Sequence, residues 1–257
     1  MHPTAAGVEP GVEQGVEQGV ENRRRRGDAA DWSQVPLVGF DTETTGTDAL
    51  TERIVTAAFI LPDGTAASVL VNPGVPIPPA ATLIHGITDA DAARGCAPRA
   101  GVSWIVDMLA WAWSAGAVVV GHNVSYDLTI AAAEARRHGL GDLLISGPVL
   151  DTYVLDKQLD RFRPGKRTLT ALALHHRIAM GPAHDASADA AAAVALARVL
   201  TPGLDGMSPG QAHRSQQRWA AEQAASLQAY LRRTDPGRTV DGTWPIRRAG
   251  SGCGASP

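Results

Sequence analysis

Apolar and polar positions alternate along the chain in blocks whose period changes from two to three or four, and the blocks predict their own elements. The run Pro36–Phe40 reads as a short buried strand. Two further strands, Arg53–Leu61 and Ala67–Val71, flank Pro62–Gly64, which predicts a hairpin turn. Val102, Ile105, Val106, Leu109 and Trp113 fall at helical spacing and predict a helix with one face on the core. Ala117–Asn123 is uniformly apolar until its last residues and reads as a buried strand, with a helix from Ser125 to His138 after it. Gly147–Thr152 supplies a fifth strand. Helical stretches follow around Leu155, over Leu169–His175 and over Ser187–Leu200. Strands interleaved with helices in this way predict a three-layer α/β domain over residues 35–200.

The flanks have a different texture. Residues 7–22 repeat a Gly-Val-Glu-X tetrapeptide and run into four arginines, Arg23–Arg26. A period of four fits neither a packed helix stripe nor a strand, and glycine at every fourth place weakens both, so 1–34 is expected to be disordered and its arginines solvated. Beyond residue 200 a Pro/Gly-rich linker leads into a polar helix over Pro209–Arg233. Its stripe of Ala220, Ala224, Leu227 and Leu231 is wide enough to dock on a surface and too narrow for a core. The tail Asp235–Pro257 is expected to be loosely ordered, with Trp244 as its anchor.

Composition narrows the class. The chain has 257 residues, 44% hydrophobic and 19% charged, enough for one sizeable core. No run approaches the roughly 18 apolar residues of a membrane span, and the first thirty residues lack a signal-peptide core; a cytoplasmic protein with no membrane association is expected. Two cysteines, Cys96 and Cys253, make neither a disulfide framework nor a zinc site. The formal charge of -3 excludes coating of nucleic acid by bulk electrostatics but leaves local basic patches open.

The chemistry is concentrated in a few acids. Asp41 and Glu43 follow the first strand with only Thr42 between them, and residues two apart on a strand share a face. At about 6 Å and an effective dielectric of about 20 their charges repel by roughly 3 kcal/mol. A hard divalent cation between them, with oxygen ligands from elsewhere in the chain, would reverse the sign. Asp127, at the start of a helix after the fourth strand, and Asp189, five residues after His184, are candidates for those ligands; as isolated residues both would be ordinary acids at helix starts.

Together the stretches FDTETTG, HGIT (His85–Thr88), HNVSYD and HDASAD resemble, in order, the motifs of the DEDD 3′-to-5′ exonucleases, in the subgroup whose third motif carries a histidine. The resemblance covers about Val35–Leu200. It implies a ribonuclease-H-like fold with a mixed five-stranded sheet flanked by helices, whose central strand carries Asp41 and Glu43. It further implies that Asp41, Glu43, Asp127 and Asp189 bind two divalent ions, Mg²⁺ or Mn²⁺, and that His184 is the general base, a role that suits imidazole at neutral pH.

Substrate contacts implied by the same resemblance are Thr42, Thr44, Thr45 and Gly46 beside the metals, His85 and Ile87 against the last base, and Asn123 and Tyr126 near the scissile phosphate. The expected activity is removal of nucleoside 5′-monophosphates from single-stranded 3′ ends of DNA or RNA. A proofreading role would need a polymerase partner. The alternatives are a catalytically weak nucleic-acid-binding or polymerase-associated module, and a two-metal endonuclease of the same fold. Asp185 reads as a helix cap, Asp151 as structural, and His122 as support for the turn after the fourth strand. Arg161–Arg167 holds four cations in seven residues, read equally well as a path for a single strand or as a solvated loop.

Overall fold

The computed structural model describes residues 30–181, 183–204 and 206–247. The expected disorder of the N-terminal repeat and the last ten residues of the tail lie outside these residues. Five strands, β1 (Leu37–Thr44), β2 (Ile54–Ile60), β3 (Ala66–Leu70), β4 (Val118–Gly121) and β5 (Val149–Asp151), form one sheet in the order β3-β2-β1-β4-β5. The β1–β2 and β2–β3 pairs are antiparallel, whereas β4 runs parallel to both β1 and β5. The expected mixed five-stranded sheet is present.

β1 is longer than the apolar run suggested. It continues through both acids to Thr44, because Asp41, Thr42 and Glu43 keep their ladder partners Ala58, Ala57 and Thr56 on β2. The register breaks only between Glu43 and Thr44, in an irregularity of the kind that re-aims side chains at the end of a strand.

The two faces of the sheet are covered differently. Phe40 stacks on Phe59 of β2, and Trp104 of the helix α3 (Pro98–Ser114) meets Phe59 edge-on, so α3 closes that face together with α4 (Ser125–Arg137). On the opposite face lies α7 (Ala186–Leu200), packed on β1, β2 and β4. Its approach depends on Gly39: a Cβ there would lie 2.7 Å from the backbone carbonyl oxygen of Ala190 and 2.8 Å from the Val194 side chain. Between β3 and α3, two short helices, α1 (Pro79–His85) and α2 (Asp89–Ala92), frame the His85–Thr88 stretch. Gly86 ends α1 in the left-handed conformation at φ 76°, and Thr88 opens α2 with a capping box to Asp91. The remaining helices α5 (Thr152–Leu159) and α6 (Leu169–His175) connect β5 to α7.

Both flanks are more firmly attached than their composition suggested. Within the segment expected to be disordered, Trp32 is buried and donates its indole N–H to the Met207 carbonyl, while the Arg198 guanidinium holds the Trp32 and Val35 carbonyls. A large aromatic with a hydrogen-bonding partner outweighs the polar residues around it. The long helix α8 (Pro209–Leu231) docks through Ala212, Gln216 and Trp219, and the expected stripe of Ala220, Ala224, Leu227 and Leu231 lies further along, with Leu227 exposed. The reason is polar. β5 is an edge strand, and α8 satisfies its open backbone: Gln216 accepts from Asp151 N–H and donates to the Val149 carbonyl, and His213 Nδ1 accepts from Val149 N–H. Past α8, Trp244 is buried and donates to Asp151 Oδ2, which holds the tail in place at least to Arg247.

Candidate active site

Strand parity and the notch at Gly39 build the site. Gly39, Asp41 and Glu43 share a face of β1, and because α7 presses on that face, Asp189 in its first turn is brought to the two acids. Ligand atoms of Glu43, Asp189 and His184 lie within 4.8 Å of one another. Asp127 enters from the first turn of α4; Thr42 fixes it, donating to Asp127 Oδ1 from its backbone N–H at 3.0 Å and from its hydroxyl at 2.6 Å.

The electrostatics are those of a concentrated negative cluster. Desolvation first, then the charges of Asp127, Glu43 and Asp189, push the Asp41 carboxyl well above the usual range. Burial followed by Asp189 and Asp127 raises Glu43 to about 8. Burial raises Asp127 to about 7 against the hydrogen bonds from Thr42 that favour its charged form. Asp189 is also raised by burial, although the His184 backbone N–H donates to its Oδ2. Its Oδ1 is buried with no hydrogen-bond partner. Four carboxyls that destabilise one another and a buried oxygen without a donor are the features a cationic ligand would relieve.

His184 is exposed and holds the left-handed backbone conformation, φ 63°, a strained one for a residue other than glycine. Its neighbour Asp185 caps α7, accepting from the Ser187 and Ala188 N–H groups, as the sequence suggested. His85 lies near His184 and the Thr44 carbonyl. Its Nδ1 accepts from the Ile87 N–H, which leaves the ring proton on Nε2, buried and without a partner. Burial lowers the His85 pKa, so this ring is neutral near pH 7.

The other expected contacts divide. Thr44 and Tyr126 share a hydroxyl contact of 2.7 Å and both reach the Gly46 carbonyl, which ties the end of β1 to α4. The Thr45 hydroxyl turns away from the acids, donating to Glu52 and accepting from the Arg53 N–H, so that residue braces the loop. Gly46 sits against the Glu52 carboxylate, at 2.7 Å from where a Cβ would be. Ile87 packs on a small cluster of Val55, Ile77, Ala81 and Ala92. Arg137 holds the same loop through the Leu50, Thr51 and Glu52 carbonyls while pairing with the buried Glu134. Asn123, at φ 59°, donates its N–H to Asp151.

One feature was not legible in the sequence, and Asp151 has the structural role that the sequence suggested. Arg247, from the tail expected to be loose, donates its backbone N–H to Thr129 of α4 and its guanidinium to Asn123 Oδ1 at 3.4 Å, bringing a cation beside Tyr126 and Asn123. Asp151 is buried at the end of β5, accepting from Asn123, Tyr153 and Trp244, and so serves as a strut beneath the site. His122 spans further than the turn it was expected to support: its rings' nitrogens reach Thr152 Oγ1 and the Arg167 carbonyl. Of the four cations in Arg161–Arg167, Arg163 and Arg167 are engaged with the buried carboxylate of Asp156.

A mixed sheet with acids on its central strand and two more delivered by flanking helices is the ribonuclease-H-like architecture of nucleic-acid hydrolases. The family model RNase_T, described as Exonuclease, matches residues 38–197, and the chain belongs to this family of DEDD exonucleases. It is 30% identical over 172 residues to a PolC-type DNA polymerase III of Lacticaseibacillus paracasei, covering 65% of this chain and 11% of that protein. It is 35% identical over 144 residues to a DNA polymerase III subunit epsilon-like protein of Rhodobacter capsulatus, covering 51% of this chain and 19% of the relative. The chain thus spans less than a fifth of either relative.

Among solved structures, Exonuclease I of E. coli in complex with a dT13 oligonucleotide superposes with a TM-score of 0.57 at 23% identity, over 66% of this chain and 42% of that one, a likeness of fold. Exonuclease I of Methylocaldum szegediense gives a TM-score of 0.54 at 27% identity, over 65% and 41%. No helix among the described residues is long and apolar enough to cross a membrane.

Proposed function

We propose that this chain is a divalent-metal-dependent 3′-to-5′ exonuclease acting on single-stranded ends of DNA or RNA. The observation that carries this reading is the convergence of Asp41, Glu43, Asp127 and Asp189 with raised carboxyl pKa values and the partnerless Asp189 Oδ1. These four carboxylates would hold two ions, Mg²⁺ or Mn²⁺. When bound, such ions activate water and stabilise charge on the attacking and leaving oxygens of an in-line displacement at phosphorus.

The protein's own residues supply the rest. His184 accepts the proton of the attacking water; its exposed, strained position at the mouth of the acid cluster leaves the imidazole open to solvent. The water oxygen joins phosphorus as the bond to the 3′ oxygen breaks, releasing a nucleoside 5′-monophosphate. Backbone groups of Thr44–Gly46, held by Tyr126 and by the Thr45–Glu52 brace, meet the terminal nucleotide. His85, held beside the Thr44 carbonyl, and Ile87 would wall the terminal nucleotide's base. Asn123, backed by Arg247, contacts the scissile phosphate, and Tyr126 positions Thr44 and Asp127. The names of the relatives favour a role beside a DNA polymerase.

The test is a ladder. Purified protein is incubated with 5′-labelled single strands of DNA or RNA in Mg²⁺, Mn²⁺ or EDTA; stepwise shortening from the 3′ end with either metal and none in EDTA is expected. Asp41→Ala and Asp189→Ala should both remove it. Internal cuts would favour an endonuclease, and undiminished activity in both variants would refute the site.

A further inference from the structure

A groove of about 410 Å³ opens between α5 and α8, on the side of the molecule where β5 forms the edge of the sheet. Lys157, Arg161 and Arg167 line one wall, and Gln223, Leu227 and Tyr230 the other. Arg167 is engaged with Asp156, but neither Lys157 nor Arg161 forms a salt bridge with a described carboxylate. The one acid in the lining, Glu222, lies 3.9 Å from Arg218. Lys157 is held over the Tyr153 ring, 4.9 Å from its centroid, and burial together with Arg167 lowers its pKa, as expected of a cation in want of an anion.

Tyr230 is 62% exposed, with the Arg233 guanidinium 5.3 Å from its ring centroid. Cations without a carboxylate partner beside an exposed aromatic ring are the two elements a single strand uses, charge for its phosphates and a flat surface for its bases. A chain of ring contacts leads from the groove toward the turn after β4. Tyr153, beneath Lys157, meets His122 edge-on at 5.8 Å, and His122 immediately precedes Asn123. One wall, with Lys157, Arg161 and Arg167, lies within the family match, and the other belongs to α8, beyond residue 197 where that match ends.

We infer that this groove binds the phosphodiester backbone of the substrate strand several nucleotides upstream of its 3′ end, with Lys157 and Arg161 on phosphates and Tyr230 under a base. The inference rests on the exonuclease reading for the strand's polarity, and its test is arranged to fail separately. Full-length parent, Arg161→Glu, Tyr230→Ala and Lys157→Gln are checked for folding by circular dichroism. Their binding to fluorescent oligothymidylates of about 20 and about 3 nucleotides is then followed by anisotropy in EDTA across a salt series.

Arg161→Glu is expected to weaken the long strand about tenfold and to lower the slope of log affinity against log salt by about 0.7, the share of one phosphate contact. Lys157→Gln should lower it similarly, Tyr230→Ala should weaken the long strand without changing the slope, and the short strand should be unaffected throughout. Unchanged long-strand affinity in the folded variants overturns the proposal. So does binding of polyglutamate that is lost in Arg161→Glu while the oligonucleotide is held as before, since the groove would then serve an acidic peptide. Absence of 3′ shortening by the parent would sink the exonuclease reading and leave the EDTA binding result standing.

Discussion

Replacing Glu43 by glutamine keeps the shape of the side chain and removes one charge from the acid cluster. In the metal-free protein the Glu43 carboxyl is raised from 4.5 to about 8, chiefly by burial and next by Asp189 and Asp127. A carboxyl whose folded pKa lies above its unfolded value favours folding fully only below the unfolded value, and that contribution is lost as pH rises toward the folded value. Linkage over this window makes ionisable Glu43 cost about 3 kcal/mol at pH 7 relative to a neutral side chain, and about 1 kcal/mol at pH 5.

Glu43→Gln should therefore melt above the parent in EDTA, by roughly 6–12 °C at pH 7 at a few degrees per kcal/mol, and nearly together with it at pH 5. Thermal unfolding by circular dichroism at the two pH values measures this directly. Mn²⁺ should then raise the parent's melting temperature more than the variant's, because the ion stabilises the charges that the substitution removes. If Glu43→Gln is the less stable protein in EDTA at pH 7, or if the parent's midpoint does not move between pH 5 and 7, the acid cluster is not strained in the metal-free protein.

Thr42→Val removes the hydroxyl bond to Asp127 Oδ1, so the Asp127 carboxyl should rise above about 7, and Mn²⁺ affinity measured by calorimetry should fall about tenfold. His184→Ala should slow single-turnover hydrolysis about 10²-fold to 10⁴-fold and remove one limb of the pH–rate profile, while Mn²⁺ binding persists. Arg167→Ala leaves Asp156 buried with a weaker partner in Arg163; denaturant unfolding should show a loss of about 3 kcal/mol or more.

What could be read from the sequence followed from periods and spacings. The shared face of Asp41 and Glu43 is a consequence of the two-residue strand repeat, and the placement of Asp127 and Asp189 in first helical turns follows from the pattern breaks before them. Contacts between distant segments carried no such mark. Nothing local distinguishes Arg163 and Arg167, paired with Asp156, from Arg161, which is not. A helix that docks through a glutamine amide and an imidazole does not announce itself as an apolar stripe, and so Ala212, Gln216 and Trp219 lie outside the stripe that apolar spacing marks on α8, of which Ala220 still packs on the core. Trp32 and Trp244 look alike in polar surroundings, yet both find buried hydrogen-bond partners that only the fold supplies. The Thr88–Asp91 capping box was available in the sequence and would have marked α2.

The missing side chain at position 39 has a wider consequence. The spacing between Asp41 and Asp189 is fixed by an absence of atoms: strand and helix touch because one methyl group is not there. Any residue larger than hydrogen would act as a wedge, tilting the helix outward and carrying Asp189 with it, although the substituted position touches neither ion nor substrate. Such a variant would keep all four carboxylates and lose their common focus.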